Sequence, residues 1–256
     1  MNTQQFYDDL APFYELVFED WDASMSRQGA ALERIIQAEL APGAFRAVGT
    51  RVLDVACGVG TQALALAARG FQVTGRDLSP GAVARLQREA KARGLSINAA
   101  VADMRHVANS VSTQFDVVVA FDNSIPHLIT DLDIRGAFTE FIRVLRPGGL
   151  CLCSVRDYDT VQRGVPATHS YGERRRGDEV FHVRQEWTWE GPYHYQIEFI
   201  IEKDNPAGPS TVLRTETRYY AVSIARLLEL MAEAGFRDCR RLDGAIYQPV
   251  LIGRAA

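Results

Sequence analysis

The sequence predicts an α/β fold with a Rossmann-like seven-stranded sheet, N-terminal helices and an inserted antiparallel β cover. From residue 51 to residue 155, apolar strand patterns alternate with helical patterns, which is typical of parallel strands joined by crossover helices. Residues 160–220 instead contain successive strand patterns joined by turns, which is typical of antiparallel pairing. A last helical pattern and two strand patterns at 236–242 and 245–253 bring the main sheet to seven.

Composition limits the classes of function. The 256 residues suit one large domain, and 47% hydrophobic and 23% charged residues are ordinary for a globular protein. A net charge of -4 does not favour a nucleic-acid partner. There is no apolar run long enough to span a membrane and no signal-peptide pattern at the N-terminus. We therefore expect a cytoplasmic protein that acts on a small molecule; homo-oligomerisation is left open.

The cysteines predict no metal site. Four of them stand at positions 57, 151, 153 and 239, and this spacing matches no zinc pattern. Cys151 and Cys153 alternate along an apolar strand pattern at 150–155, so they face the same side of that strand. We expect buried free thiols.

A nucleotide site is predicted by residues 51–60, which read RVLDVACGVG. An apolar strand runs into Gly58 and Gly60, and a helical pattern begins at Thr61. The glycines let the backbone approach a ligand, and the first helical turn offers free N–H groups. The second strand, at 71–75, ends near Asp77, where a carboxylate can accept hydrogen bonds from both hydroxyls of a ribose.

The identity of the nucleotide depends on Asp54. The spacing Gly58-x-Gly60-x-x-Ala63 can be fitted to the dinucleotide fingerprint, but Asp54 would place a negative charge against the diphosphate of NAD. An acidic residue there suits a cofactor with an ammonium group and no phosphate, which is S-adenosylmethionine. The structural alternative, in which Asp54 only caps the helix, stays open.

Further cofactor candidates lie after the next strands and in the N-terminal helices. Asp103 follows the strand at 97–101 and can accept a bond from an adenine amino group while Met104 packs on the ring, unless Asp103 is only a loop cap. The helices before the first strand can cross the mouth of the cleft and present Tyr7, Tyr14, Trp21 and Arg27, unless these are packing and surface residues. The full set of predicted cofactor residues is Asp54, Ala56, Gly58, Gly60, Asp77, Leu78, Asp103, Met104, Phe121, Arg27 and Tyr14.

We predict one domain over residues 1–256, in three parts. Residues 1–45 form an N-terminal helical lid whose second helix, 22–40, ends at Pro42-Gly43; residues 46–159 and 221–256 form the cofactor-binding core. Residues 160–220 form the substrate cover, in which Trp187 and Trp189 pack on one face. The run at 174–176, three arginines, is predicted to be a solvated loop.

Several motifs together resemble those of class I S-adenosylmethionine-dependent methyltransferases. They are Asp-x-x-x-Gly-x-Gly, the acidic end of the second strand, Leu-Arg-Pro-Gly-Gly before the fifth, and Ala-Gly-Phe before the terminal strands. The segments 52–58, 123–128 and 156–159 resemble those of the glycine and sarcosine N-methyltransferases. This narrower resemblance implies that Asn123 and Arg156 contact an amino-acid substrate and that Arg156 pairs with its carboxylate.

The same resemblance bears on other positions. It makes Arg27 the nearest candidate for an arginine on the methionine carboxylate, and it matches a tyrosine pair to Tyr219-Tyr220. Ile125 and Asp157 depart from the family pattern, as does Met104, and these departures leave the exact substrate open.

Methyl transfer from a sulfonium needs no metal, so the candidate catalytic residues are groups that position the acceptor or take its proton. Arg156 is a natural carboxylate clamp, the alternative being a salt bridge to Asp157 or Asp159. Asn123 can orient an amine, unless it is a turn residue. His127 and Tyr220 are candidate proton acceptors, with a loop-shaping role preferred for His127.

These observations predict an N-methyltransferase of a small, carboxylate-bearing amine, which releases S-adenosylhomocysteine as product. An O- or C-methyltransferase of a small natural-product acid shares the same cofactor site. An NAD-dependent oxidoreductase and an inactive nucleotide-binding protein are the alternatives outside methyl transfer.

Overall fold

Eleven strands lie within the residues that the computed structural model describes, 2–40 and 47–256. In chain order they are β1 (Arg51–Asp54), β2 (Gln72–Asp77), β3 (Asn98–Val101), β4 (Phe115–Ala120), β5 (Leu145–Ser154), β6 (Ala167–Arg176), β7 (Glu179–Glu190), β8 (His194–Lys203), β9 (Ser210–Tyr220), β10 (Arg237–Leu242) and β11 (Val250–Arg254). Seven of them form the main sheet, in the order β10-β11-β5-β4-β1-β2-β3. The predicted seven-stranded α/β fold is confirmed.

The central strands of this sheet are parallel, and β10 and β11 add an antiparallel edge. β4 is buried along its whole length, as its continuous apolar run predicts for a strand with both faces covered. Apolar clusters lie on both sides of the sheet. The carboxyl ends of β1, β2, β3 and β4 therefore meet at one edge, where an open α/β sheet binds ligands.

Six helices accompany the strands in the described ranges: α1 (Thr3–Leu10), α2 (Trp21–Leu40), α3 (Thr61–Ala67), α4 (Pro80–Ala92), α5 (Asp131–Val144) and α6 (Ile224–Glu233). Ser79 and Ser223 cap α4 and α6, since their side chains accept backbone hydrogen bonds at the starts of these helices. A 3₁₀ segment, Ala11–Val17, joins α1 to α2. The predicted stop of α2 at Pro42-Gly43 lies outside the described residues.

The inserted segment forms a separate four-stranded antiparallel sheet in the order β6-β7-β8-β9, which we call the cover sheet. Three of its strands match the sequence prediction. The fourth, β6, was missed, and the prediction of a solvated loop at 174–176 was wrong because these residues pair with β7. The sequence of β6, ATHSYGERRR, lacks the apolar alternation that identifies a half-buried strand. α1 packs against both β9 and α4, so it joins the cover sheet to the core.

Two further expectations concern the thiols and membrane spans. The four cysteines are free, as predicted, and Cys57, Cys151 and Cys153 are buried, whereas Cys239 is only half-buried. The sulfurs of Cys151 and Cys153 lie 3.7 Å apart, on the same side of their strand as predicted. Within the described ranges, no helix combines the length and apolarity needed to cross a membrane.

Candidate functional site

Two adjoining cavities lie between the main sheet and the cover sheet. The sheet cavity, about 390 Å³, is lined by the glycine loop and by the strand ends, among them Ala56, Gly58, Asp77, Leu78, Asp103, Met104 and Phe121. The cover cavity, about 590 Å³, is lined by the inner face of the cover sheet and by Asn123 and Arg156. The structure thus gathers most predicted cofactor residues in one cavity and the two predicted substrate residues in the other.

Three residues line both cavities: Tyr7, Tyr14 and Asp122. Tyr7 comes from α1, Tyr14 from the 3₁₀ segment that follows it, and Asp122 from the loop after β4. A group exchanged between molecules in the two cavities would pass beside these three side chains. We call this place the junction.

The two glycines of the loop have different roles. Gly58 has φ +50°, and a Cβ built on it would meet nothing within 4 Å, so its open side belongs to the sheet cavity. Gly60 has φ +109°, and a Cβ there would lie 2.5 Å from Leu86 Cδ1 and 2.9 Å from Leu64 Cδ1. Gly58 therefore leaves room for a ligand, whereas Gly60 permits the close packing of α3.

Asp77 holds the glycine loop and faces the sheet cavity. Its Oδ2 accepts the Gly58 N–H at 2.8 Å, and its Oδ1 accepts the Ser79 N–H at 2.9 Å. Burial raises the pKa of this carboxyl, and the backbone hydrogen bonds counteract that rise. Because each carboxylate oxygen has a second lone pair, Asp77 can still accept bonds from two vicinal hydroxyls.

Asp54 lies behind the loop and is 1% exposed. Its Oδ1 accepts the Ala56 N–H at 3.2 Å, while its Oδ2 is buried without a hydrogen-bond partner among the described residues. Burial raises its pKa to about 8, helped by the negative charges of Asp77 and Asp122. Asp54 is not among the residues that line the two cavities, so its predicted contact with an ammonium group stays a prediction. A carboxyl at this position does not fit a diphosphate.

The wall of the sheet cavity also contains apolar side chains that suit a flat apolar ring with a polar edge. They are Leu78, which is 37% exposed, Met104 and Phe121. The Asp103 carboxylate accepts two hydrogen bonds from Arg105, one from the guanidinium at 2.6 Å and one from the backbone N–H at 2.9 Å. The alternative in which Asp103 caps a loop is thus correct. Asp103 also lines the sheet cavity, so its hydrogen bond to an adenine amino group stays a prediction.

Arg27 is not brought to the other cofactor candidates. Its exposed side chain lines the cover cavity and not the sheet cavity. Its predicted contact with the methionine carboxylate stays a prediction that this placement does not favour.

The guanidinium of Arg156 stands free in the cover cavity. Its Cζ lies 4.4 Å from the centre of the Trp187 ring, a cation–π contact, and no ion pair to it occurs in the described chain. Asp157 instead pairs with Arg241 at 2.8 Å, and Asp159 pairs with Arg163 at 3.4 Å. The alternative in which Arg156 forms a salt bridge with these neighbours is therefore wrong.

Asn123 braces the loop that carries Arg156. Its Oδ1 accepts the Arg156 N–H at 2.9 Å, and its Nδ2 donates to the Tyr158 hydroxyl at 2.7 Å. Asp122 and Asn123 have φ angles of +55° and +64°, a left-handed conformation that costs free energy for residues with a Cβ. Such a turn at the junction holds two polar side chains in place. The turn-residue alternative for Asn123 agrees with this geometry.

His127 is half-buried at the sheet cavity and supports the junction. Burial lowers its pKa to about 3, so the ring is neutral. Its Nε2 lies 2.8 Å from the Tyr7 hydroxyl, which donates when the ring proton is on Nδ1. The His127 ring also lies 4.0 Å from the ring of Tyr219. This arrangement agrees with a positioning role more than with a general base.

Tyr220 lies elsewhere. Its hydroxyl donates to Asp131 Oδ1 at 3.0 Å, in a third cavity on the other side of β9. Its neighbour Tyr219 faces the cover cavity instead, because successive residues of a strand point to opposite faces. The structure therefore does not bring Tyr220 to the other catalytic candidates. Tyr219, and not Tyr220, lines the cover cavity together with Asn123 and Arg156.

Sequence reasoning named Tyr7 only as one of several residues that could face the ligands, gave Asp122 no role, and missed Arg174 and Tyr195 among the wall residues. Asp122 follows β4 directly, so its strand-end position could have identified it. Tyr7 was one of several aromatic residues on an amphipathic helix. Arg174 and Tyr195 had no local signal, because their facing depends on the register of the cover sheet.

Comparisons with known proteins agree with this geometry. A family model described as a methyltransferase domain matches residues 52–149. The glycine/sarcosine N-methyltransferase of Parasynechococcus marenigrum (strain WH8102) is 30% identical over 165 residues, which cover 64% of this chain and 55% of that relative. The chain thus aligns with about half the length of this curated relative.

Solved structures share the fold at low identity. Streptomyces venezuelae DesVI superposes with a TM-score of 0.77 at 20% identity and covers 100% of this chain and 99% of its own. CalS10, an amino pentose methyltransferase from Micromonospora echinaspora solved with S-adenosylmethionine bound, gives a TM-score of 0.75 at 19% identity and covers 91% of this chain and 92% of its own. By its glycine loop, its acidic strand ends, its fold and these relatives, the chain belongs to the class I S-adenosylmethionine-dependent methyltransferases.

Proposed function

We propose that this protein transfers the methyl group of S-adenosylmethionine to the amine nitrogen of a small molecule that carries a carboxylate, such as an amino acid. The observation that carries the proposal is the free guanidinium of Arg156. It stacks on Trp187 in the cover cavity with no acidic partner in the described ranges. A guanidinium with a planar, unoccupied donor edge matches a carboxylate.

The sheet cavity is the proposed cofactor site. Asp77 would take the ribose hydroxyls, Gly58 would leave room for the backbone approach, and Leu78 and Met104 would flank the adenine. The cofactor supplies an electrophilic methyl group on a sulfonium, so the protein needs to hold and align the two reactants. Asp54 fits the ammonium group of the methionine part, because its Oδ2 has no partner in the described chain.

The junction is the proposed place of transfer. Asn123 fixes the backbone of Arg156, and a carboxylate on Arg156 would direct the rest of the acceptor along the cover cavity. An amine close to that carboxylate would lie near the junction residues Tyr7, Tyr14 and Asp122. The activity of a related protein, the glycine/sarcosine N-methyltransferase of Parasynechococcus marenigrum, supports an amine acceptor.

An amine must lose its ammonium proton before it attacks. Asp122 is placed to accept that proton, because it lines both cavities and burial raises the pKa of its carboxyl. The hydroxyl of Tyr247 and the amide of Gln62 donate to its two oxygens at 2.6 and 3.0 Å and hold it in position. His127, with its pKa lowered to about 3, is a poor acceptor at neutral pH.

A turnover assay tests the proposal. The purified protein is incubated with S-adenosylmethionine and small amino acids, amines and nitrogen-free hydroxy acids, and release of S-adenosylhomocysteine is measured with product mass. We expect methylation on nitrogen for carboxylate-bearing amines. Methylation restricted to the nitrogen-free acids would replace the proposal by the O- or C-methyltransferase alternative.

Two variants test the clamp. Arg156→Ala should raise the KM for a carboxylate-bearing amine by about 100-fold or more, since a charge-assisted pair to a carboxylate is worth about 3 kcal/mol. Arg163→Ala, in the third cavity, is the matched control and should keep the KM. Calorimetry should give the same S-adenosylhomocysteine affinity for both variants and the wild type. A wild type that does not bind S-adenosylhomocysteine would remove the proposal altogether.

A further inference from the structure

A second arginine of the cover cavity is also free of acidic partners. Arg174, on β6, lines this cavity, and its Nε is buried without a hydrogen-bond partner in the described chain. Its Nη1 donates only to the carbonyl of Glu173, at 2.9 Å. The two arginines that follow are paired: Arg175 with Glu173 at 2.7 Å, and Arg176 with Glu15. Arg174 alone of this run points a partly unsatisfied guanidinium into the cavity.

The carboxylates of the cavity do not balance these charges. Asp122 accepts hydrogen bonds from Tyr247 and Gln62. Glu19 and Asp20 lie on the exposed rim and form no ion pair with Arg156 or Arg174 in the described ranges. Arg27 also lines the cavity without an ion pair in the described chain, but its side chain is exposed to solvent. Arg156 and Arg174 are only partly exposed, and two such guanidiniums without counter-ions in a half-enclosed space are costly unless a ligand supplies the negative charge.

The two guanidiniums belong to different parts of the cavity. Arg156 stacks on Trp187 of β7. The guanidinium of Arg174 reaches back along β6, because its Nη1 lies 3.7 Å from the position that a Cβ on Gly172 would take, and Gly172 pairs with Val183 of β7. Val183 and Trp187 are four residues apart, about 13 Å along a strand, so one carboxylate does not bridge the two guanidiniums. The cavity holds about 590 Å³, far more than a glycine-sized acceptor fills, and aromatic residues such as Tyr171 and Phe199 line it.

We infer that the acceptor carries a second anionic group, a carboxylate or a phosphate, which Arg174 binds at the end of the cover cavity away from Arg156. The inference rests on the proposed function, in which Arg156 binds the carboxylate near the reacting amine. The acceptor is accordingly an elongated amine with an anion at each end and an apolar or aromatic middle that packs on the cover sheet. A free small amino acid such as glycine would leave Arg174 unsatisfied.

Calorimetry on the S-adenosylhomocysteine-saturated protein tests this with matched probe pairs. The carboxylate arm compares L-2-aminosuberate with L-2-aminooctanoate, and the phosphate arm compares O-phospho-L-tyrosine with L-tyrosine. In at least one arm, the probe with two anions should bind at least 10-fold tighter than its partner. The arm that shows this identifies the anion.

Two variants link the effect to Arg174. Arg174→Gln should remove the preference, while Arg175→Gln, its paired and exposed neighbour, should keep it. Equal thermal stability of the two variants would exclude misfolding as the cause. The inference is overturned if no two-anion probe binds better than its partner, or if Arg174→Gln keeps the preference. In that case, turnover of amines with one anionic group by the wild type would still support the proposed function. A failure of this inference is therefore distinguishable from a failure of the proposed function.

Discussion

The Tyr7 hydroxyl lies 2.8 Å from Nε2 of His127, although the two residues are 120 positions apart in the chain. Tyr7 comes from α1, and His127 from the short 3₁₀ turn after β4. The His127 ring also contacts Tyr219 of β9, with ring centres 4.0 Å apart. The N-terminal helix, the main sheet and the cover sheet thus meet at one half-buried contact beside the junction. α1 is consequently part of the wall of the site.

Tyr7→Phe tests this contact. The change removes the hydroxyl and leaves the half-buried Nε2 of His127 without this donor, which costs about 1 kcal/mol. If Tyr7 positions the acceptor, kcat should fall by about 10-fold or more, while the affinity for S-adenosylhomocysteine stays within about 3-fold. Both quantities come from one turnover series and one calorimetric titration.

Tyr220→Phe is the control for that variant. Its hydroxyl binds Asp131 outside the two cavities, so kcat should stay within about 3-fold of the wild type. A larger loss of kcat in Tyr220→Phe than in Tyr7→Phe would reverse the assignment and return Tyr220 to the catalytic candidates.

Asp122→Asn tests the proton acceptor at the junction. The pKa of Asp122 is raised from its usual 3.8 by burial, so this carboxyl stays protonated to higher pH than an exposed one. Since only the ionised form can take a proton, kcat/KM should rise with pH through the pKa of Asp122. Asn cannot ionise, so the variant should lose this acidic limb and at least about 10-fold in kcat/KM.

A pH series on three proteins checks the role of Asp122. Asp159→Asn removes a carboxylate that pairs with Arg163 in the third cavity, and its profile should match that of the wild type. An unchanged acidic limb in Asp122→Asn would show that another group, or the substrate amine itself, sets the profile.

Asp54→Asn tests the buried carboxyl behind the glycine loop. Its pKa is about 8 in the folded chain, against 3.8 for an ordinary aspartate. The folded state therefore holds a proton that the unfolded state releases between these values. Stability from this group is complete below about pH 4 and falls as the pH rises to about 8, by at most about 1.4 kcal/mol per pH unit.

Urea unfolding of the cofactor-free protein at several pH values measures this loss. The difference in the free energy of unfolding between the wild type and Asp54→Asn should change across this pH window and be constant above it. A constant difference throughout would mean that Asp54 is already ionised in the folded protein. Asp54→Asn should also weaken S-adenosylhomocysteine binding at pH 8, because the variant cannot pair with the ammonium group.

Much of the sheet edge was predictable because its signals are local. A strand followed by a glycine turn and a helix needs only neighbouring residues, and parallel strands bring their carboxyl ends together by topology. Asp77, Leu78, Met104 and Phe121 were placed in one cavity on that basis, and the structure agrees. Arg27 was placed by resemblance alone, and the structure puts it at the other cavity.

The sequence by itself determined the fold, the cofactor family and the strand ends that build the site, since these follow from residue patterns a few positions long. Only the tertiary structure decided that Tyr219 faces the site while Tyr220 faces away, because a shift of one residue reverses the side of a strand. It also decided that Arg156 and Arg174 are free, because the acidic residues nearest in sequence bind other arginines. Facing and charge pairing depend on contacts between distant segments, which no local pattern contains.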